Sequence, residues 1–170
     1  SNQLGGYAIQ HLQFDQWEIE AGLRYDHRWL QAFMFREDTI YRPQHQFSGW
    51  SWNLGVSHLA RLWSINSNIA GGWRPPAINE LYSNGLHHGA AAVEFGNEAL
   101  NEERALSWTT QWRLEPTQVF GRPLQVMVTG YVNYFDQFIY LVPLEEPTLT
   151  IRGAFPTFAY EQVDALFRGV

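Results

Sequence analysis

The sequence has no cysteine and no lysine, and few charges of any kind. Without cysteine there is no disulfide framework, no thiol redox chemistry and no thiolate metal site. All 11 basic residues are arginines, set against 17 acidic ones, for a formal net charge of −6. A lysine-free acidic chain is a poor partner for a phosphate backbone, which argues against nucleic-acid binding. Charged residues make up 16% of the chain, well below the roughly 25% of soluble domains. Nor is there an unbroken apolar run near the ~18–20 residues of a membrane-spanning helix. The N-terminus, Ser1-Asn2-Gln3, shows neither the basic nor the apolar region of a signal peptide. The sequence does carry apolar side chains, at 45% of 170 residues, including eight tryptophans, eight tyrosines and 11 phenylalanines. With a mean hydropathy of −0.30, apolar and polar residues must be interleaved.

The interleaving has a period of two. Trp17, Ile19, Ala21, Leu23 and Tyr25 alternate with Glu18, Glu20, Gly22, Arg24 and Asp26. Successive strand side chains point to opposite faces, so this segment reads as a strand with one apolar and one polar side. The alternation returns in Trp50–Val56, Trp63–Gly71, Leu106–Leu114 and Leu124–Tyr134, and more weakly in Tyr7–Phe14 and Phe158–Arg168. In the last segment Val163, Ala165 and Phe167 form the apolar set. About seven strands of ~10–13 residues follow, near the ~9–11 that a tilted strand needs to cross a bilayer. Aromatics near the segment ends suit the girdles of membrane barrels.

Connections alternate too. Asp15-Gln16, Leu59–Leu62 and Glu115–Pro123 are short; Trp29–Phe47, Arg74–Glu102 and Asp136–Thr157 are long. Short turns on one side and long loops on the other are the pattern of outer-membrane barrels. The fold expected is all-β: an antiparallel transmembrane β-barrel fragment in one partial domain, residues 1–170. Two rivals stay open, a self-contained eight-stranded barrel and a soluble β-sandwich that binds glycans through its aromatics. An eighth strand is expected around Leu149–Ala154 if the chain closes on itself.

One stretch carries a resemblance. Gly72-Trp73-Arg74-Pro75-Pro76-Ala77-Ile78-Asn79-Glu80-Leu81-Tyr82 runs into a loop holding His87-His88-Gly89. Gly96-Asn97-Glu98-Ala99-Leu100-Asn101-Glu102-Glu103 follows, then Tyr131–Tyr140, then Tyr160, Gln162, Asp164 and Ala165. From about Trp50 to Gly169 this resembles the barrel of TonB-dependent outer-membrane receptors. The resemblance implies a barrel of about 22 strands around an N-terminal plug, in the outer membrane of a Gram-negative bacterium. It implies energy-coupled import of a ferric siderophore, haem, cobalamin or a metal ion. The plug, TonB acting through the plug, the cargo and membrane lipid are the implied partners, and no resident cofactor is expected. No plug or TonB-contacting box is seen here, so the chain is expected to be a slice of the barrel.

Candidate site residues follow. Tyr82, Asn84, His87, His88 and Glu94 lie in the longest loop and are expected to contact ligand. Imidazole and carboxylate suit a metal ion, but the adjacent pair lacks metal-ligand spacing, so hydrogen bonding in an exposed loop is the simpler expectation. Glu18, Glu20, Arg24, Asp26 and Arg113 are expected to face a wet lumen and the plug. Arg74-Pro75-Pro76 is expected to end a strand, because proline cannot donate to a ladder. Asn79 is expected to cap a short helical turn. No catalytic motif is present, and no enzymatic activity is expected.

Overall fold

A computed structural model describes residues 2–36, 39–87, 89–119 and 122–170, with side chains undescribed at residues 36 and 115–119. The chain begins with β1 (Asn2–Phe14) and β2 (Trp17–Gln31), joined by the tight Asp15-Gln16 turn. Asp15 takes φ 50° there, a left-handed conformation that aspartate tolerates. A small hairpin, β3 (Met34–Arg36) and β4 (Thr39–Tyr41), precedes β5 (Gln44–Leu59) and β6 (Trp63–Arg74). Next come helix α1 (Ile78–Tyr82), β7 (Asn84–His87) and β8 (Ala92–Phe95). The long strands β9 (Glu103–Val119) and β10 (Arg122–Pro143) follow, then hairpin β11 (Thr148–Thr150) and β12 (Gly153–Phe155), and β13 (Thr157–Gly169).

Seven of these strands, β1, β2, β5, β6, β9, β10 and β13, run 12 to 22 residues and pair antiparallel in chain order. The main sheet is completed by β8, which adds in parallel to the start of β13 (Thr157↔Val93, Phe158↔Glu94, Ala159↔Phe95), and by β7 beyond it. The long connections all leave from one end of the sheet, called the rim below.

The registers settle the faces. Tyr25↔Trp50, Leu23↔Trp52, Ala21↔Leu54 and Ile19↔Val56 align apolar residues between β2 and β5. Leu54↔Ile69, Ile69↔Trp108, Trp108↔Val132 and Tyr134↔Leu166 carry the same face onward to β13. Glu18, Glu20, Arg24 and Asp26 oppose Ser57, Gly55, Ser51 and Gly49 on the other face. Arg113 joins them through Ser64. A one-residue slip would reverse the whole arrangement, and the in-phase alternation of seven strands holds it.

A sandwich requires a second layer, and none covers this sheet among the described residues: Trp50 is 58% exposed and Trp108 55%. The eighth strand expected near Leu149–Ala154 is instead the separate β11–β12 hairpin, paired only with itself. The sheet is open, with β1 at one edge and β7 at the other. In β13 the expected apolar set falls on the polar face, because Phe167 opposes Asn133 and Ala165 opposes Phe135. Phe135, Phe138 and Phe167 form an edge-packed triad there, with centroids 5.3–5.8 Å apart. An irregularity between Phe135 and Phe138, with Gln137 at φ 59°, brings Phe138 to that face as well.

Candidate functional site

At the rim the 75–102 segment folds back over the polar face of the sheet. Arg74, the last residue of β6, holds it there. Its Nη1 donates to both oxygens of Glu80, at 3.0 and 2.8 Å, and its Nη2 donates to Glu103 Oε2 at 3.1 Å. Glu103 also accepts from the Ile139 N–H of β10 at 2.9 Å. Glu80 accepts from the Ala77 N–H at 2.7 Å, so it caps its own helix. The residue at the helix cap is therefore Ala77, not Asn79; Asn79 lies inside α1 and donates to the Tyr160 hydroxyl at 3.3 Å. Buried carboxylates survive only when paired and hydrogen-bonded, and Arg74 satisfies both at once.

Beneath this node sits the hydrophobic cluster of Leu30, Leu81, Leu100 and Ile139, with Tyr82 and Tyr160 packed against it. Gly96 passes so close to α1 that a Cβ there would meet the Leu81 carbonyl carbon and the Tyr82 nitrogen at 2.5 Å. Its N–H bonds to Ser83 O at 2.7 Å, and the next N–H, of Asn97, bonds to Glu80 O at 2.8 Å. Farther along, Gln162 donates to Asn101 O and Gln137 O, both at 3.0 Å, and accepts from the Asn101 N–H at 3.0 Å. Asp164 accepts from the Gln137 N–H at 3.2 Å, which satisfies the bulged backbone. The motif residues Arg74, Glu80, Asn97, Glu103, Gln162 and Asp164 thus tie the loop to the strands.

The proposed contact residues divide into two groups. Tyr82 and Asn84 line a cavity of about 400 Å³ together with Met34, Phe35, Phe95 and Glu98. The Tyr82 hydroxyl hydrogen-bonds Nε2 of His45, which stacks on Phe47. Burial holds the Tyr82 hydroxyl above the ordinary phenol range, with the charges of Glu98 and Tyr41 adding to it. It therefore stays neutral. Tyr41 donates to Glu98 at 2.9 Å, tying the β3–β4 hairpin to the same cavity.

His87 and Glu94 form the second group, on the β7–β8 hairpin, with Nδ1 of His87 3.7 Å from the carboxylate. Glu94 accepts from the Tyr160 hydroxyl at 3.3 Å. His88 lies outside the described residues. Among the described residues no group of three or more His, Cys, Asp and Glu side chains is placed to hold a metal ion. His45, Met34 and Phe35 carry no motif signal, whereas Glu98 stands within the Gly96–Glu103 stretch.

On the polar face of the wall, Arg24 donates to Asp26 through Nε at 2.5 Å and Nη2 at 2.6 Å, and Gln3 donates to Asp26 at 3.0 Å. Asn53 donates to Glu20 at 3.1 Å, and His11 lies 3.2 Å from Glu18. Nε of Arg113 is buried without a hydrogen-bond partner among the described residues. The five residues share one face but make no single cluster.

The whole chain, residues 1–170, matches the profile of the TonB dependent receptor-like β-barrel family. No curated protein matches the sequence significantly. Among solved structures, a double mutant of the Serratia marcescens hemophore receptor HasR, in complex with its hemophore HasA and heme, aligns with a TM-score of 0.73 at 22% identity. The copper transporter OprC gives 0.72 at 16%, and the siderophore receptor PirA from Pseudomonas aeruginosa 0.52 at 15%. Each alignment covers 98% of this chain but only 30%, 25% and 38% of the respective relative. At these identities the likeness establishes the fold alone.

Proposed function

This chain belongs to the β-barrel family of TonB-dependent receptors, and on that premise we propose that it forms part of the wall and outer rim of a nutrient importer in the Gram-negative outer membrane. The carrying observation is the single apolar face maintained in register across seven long strands. In a barrel that face meets lipid, while the face of Glu18, Glu20, Arg24, Asp26 and Arg113 lines the lumen and meets the plug. The unpartnered Nε of Arg113 is suited to a plug carbonyl or carboxylate. The rim then faces the medium, and the cavity of Tyr82 and Asn84 contributes to capture of cargo. TonB acts through the plug, and the chain's own residues supply no catalysis.

The similar structures are a hemophore receptor with heme, a copper transporter and a siderophore receptor. One fold therefore serves several cargoes, and the class proposed here is a scarce nutrient of that kind: a ferric siderophore, haem, cobalamin or a metal ion. The test is growth of a strain lacking the full-length gene on single iron, haem, copper, zinc and cobalamin sources, with and without TonB. The expected result is loss of growth on one source, restored by the gene only when TonB is present. Full growth on all of them, or TonB-independent rescue, overturns the reading.

A further inference from the structure

The polar face of the sheet changes character at its last two long strands, β10 and β13. One row across it is hydrophilic throughout: Glu18↔Ser57↔Asn66↔Gln111↔Thr129. There Asn66 donates to Ser57 at 2.8 Å and Gln111 to Thr129 at 3.3 Å. The next three rows toward the rim end on rings instead. They are Asn68↔Thr109↔Tyr131, Ser107↔Asn133↔Phe167 and Gly72↔Ala105↔Phe135. Phe138 and Val163, paired with each other, continue the patch. Phe167, Val163 and Tyr131 are 46%, 45% and 41% exposed.

The patch is held in shape by its own contacts. Phe135, Phe138 and Phe167 meet edge to face, at interplanar angles of 63–84°, the arrangement that aromatic quadrupoles favour. A Cβ on Gly169 would lie 2.6 Å from the Tyr131 ring, so the missing side chain lets that ring rest on β13. Beside the triad the floor is low. Ala105 and Ala165 flank Phe135, and a Cβ on Gly72 would meet nothing within 4 Å.

On a face that lines a wet lumen, exposed rings and a valine are unfavourable in water and mark a contact. Lipid meets the opposite face. A further strand would lie beside β13 and leave the side chains standing on this face uncovered. Cargo passes and is released, whereas a fixed apolar surface suits a standing contact. The alignments leave most of each similar receptor outside the matched region, so proteins of this fold have further polypeptide that can fill the lumen. We propose that Tyr131, Phe135, Phe138, Val163 and Phe167 form the apolar anchor of the plug, with a branched aliphatic or aromatic plug side chain seated on the triad above Ala105. The amide and charged rows beside it make polar, exchangeable contacts, and the patch is the plug's fixed point on this wall. The inference rests on the reading that this face encloses a plug.

The experiment uses the full-length receptor in outer-membrane vesicles. Phe167→Cys and Val163→Cys, each in a background without other cysteines, are exposed to a water-soluble maleimide before and after urea unfolds the plug. Labelling should be about tenfold slower or more before unfolding. Amide exchange of the plug, read by mass spectrometry, should be about tenfold faster in Phe167→Asn and near wild type in Phe167→Leu. Heat-modifiable migration of the barrel should stay unchanged in both; where Phe167→Asn does not fold, the cysteine labelling decides. Rapid labelling of both cysteines in the native receptor, or unchanged plug exchange in a folded Phe167→Asn, overturns the proposal. Loss of cargo affinity in Phe167→Asn with plug exchange at the wild-type rate overturns it too, and makes the patch a cargo subsite. TonB-dependent growth of wild type is measured alongside. Its absence sinks the importer reading, whereas accessible cysteines in a receptor that does import sink the anchor alone.

Discussion

The wall and the rim of this chain are held together in different ways. Along the wall, Leu23 in β2 and Trp50, Trp52 and Leu54 in β5 project outward with large exposed areas. Cohesion there comes from the backbone ladder, with the surroundings supplying what a core supplies elsewhere. At the rim, the buried hydrophobic side chains Leu30, Leu81, Leu100 and Ile139 pack around the Arg74–Glu80–Glu103 node. Burying a leucine fully is worth about 1.5–3 kcal/mol, so the rim carries its own stabilisation. A wall of this kind needs no particular side chain on its outer face, only apolar ones; the rim depends on specific partners.

The contrast is most severely tested by two adjacent residues on opposite faces. Leu54→Arg places a charge on the apolar face and should cost about 2–4 kcal/mol in lipid. Asn53→Arg, on the polar face, should change stability by less than about 1 kcal/mol. Denaturant unfolding of the full-length receptor in vesicles measures both; equal costs would mean that the faces are misassigned. Leu81→Ala should destabilise the rim by about 2–3 kcal/mol, the low end for a leucine in a small cluster. Faster proteolysis within residues 75–102 is the expected sign, with heat-modifiable migration of the barrel unchanged. Simultaneous loss of that migration would show that wall and rim are one cooperative unit.

Arg74→Ala leaves two largely buried carboxylates unpaired, at about 1–3 kcal/mol once the partial exposure of the guanidinium is discounted. Proteolysis of the same segment reads it, and a cut rate equal to that of wild type would demote the node to ornament. The smallest effect is expected for Tyr82→Phe, which removes one hydrogen bond to His45 at about 0.5–1.5 kcal/mol. Its mark is cargo affinity, not proteolysis. Because the Tyr82 hydroxyl titrates above the usual phenol range, wild-type affinity should show no step from this group below pH ~10. A step at lower pH that Tyr82→Phe abolishes would contradict the burial seen here.

The wall was readable from the sequence because its physics is local. Trp17–Asp26 alternates without interruption, and strand pairing preserves that alternation. Reading stopped where the period broke. In β13 both parities carry apolar residues, Val163 and Phe167 on one and Leu166 on the other, and the pairing of Leu166 with Tyr134 puts Phe167 on the polar face. Short pairings such as β3–β4 and β11–β12 have three residues a side, too few to show a period. The motif residues were visible as a pattern, but their purpose was not. Glu80 and Glu103 stand far apart in sequence and meet only through Arg74. The cavity was half legible: Tyr82 and Asn84 lie in the marked loop, whereas Met34 and Phe35 reach it from another connection.

The parallel clip of β8 onto β13 has a consequence for engineering. A loop that begins after β6 finishes against a strand three places farther along the sheet. Grafting residues 75–102 into a foreign barrel would leave Ala92–Phe95 without the edge that receives it. Chimeras that exchange this loop should therefore carry the beginning of β13 with it, and the two segments should be inherited as a pair.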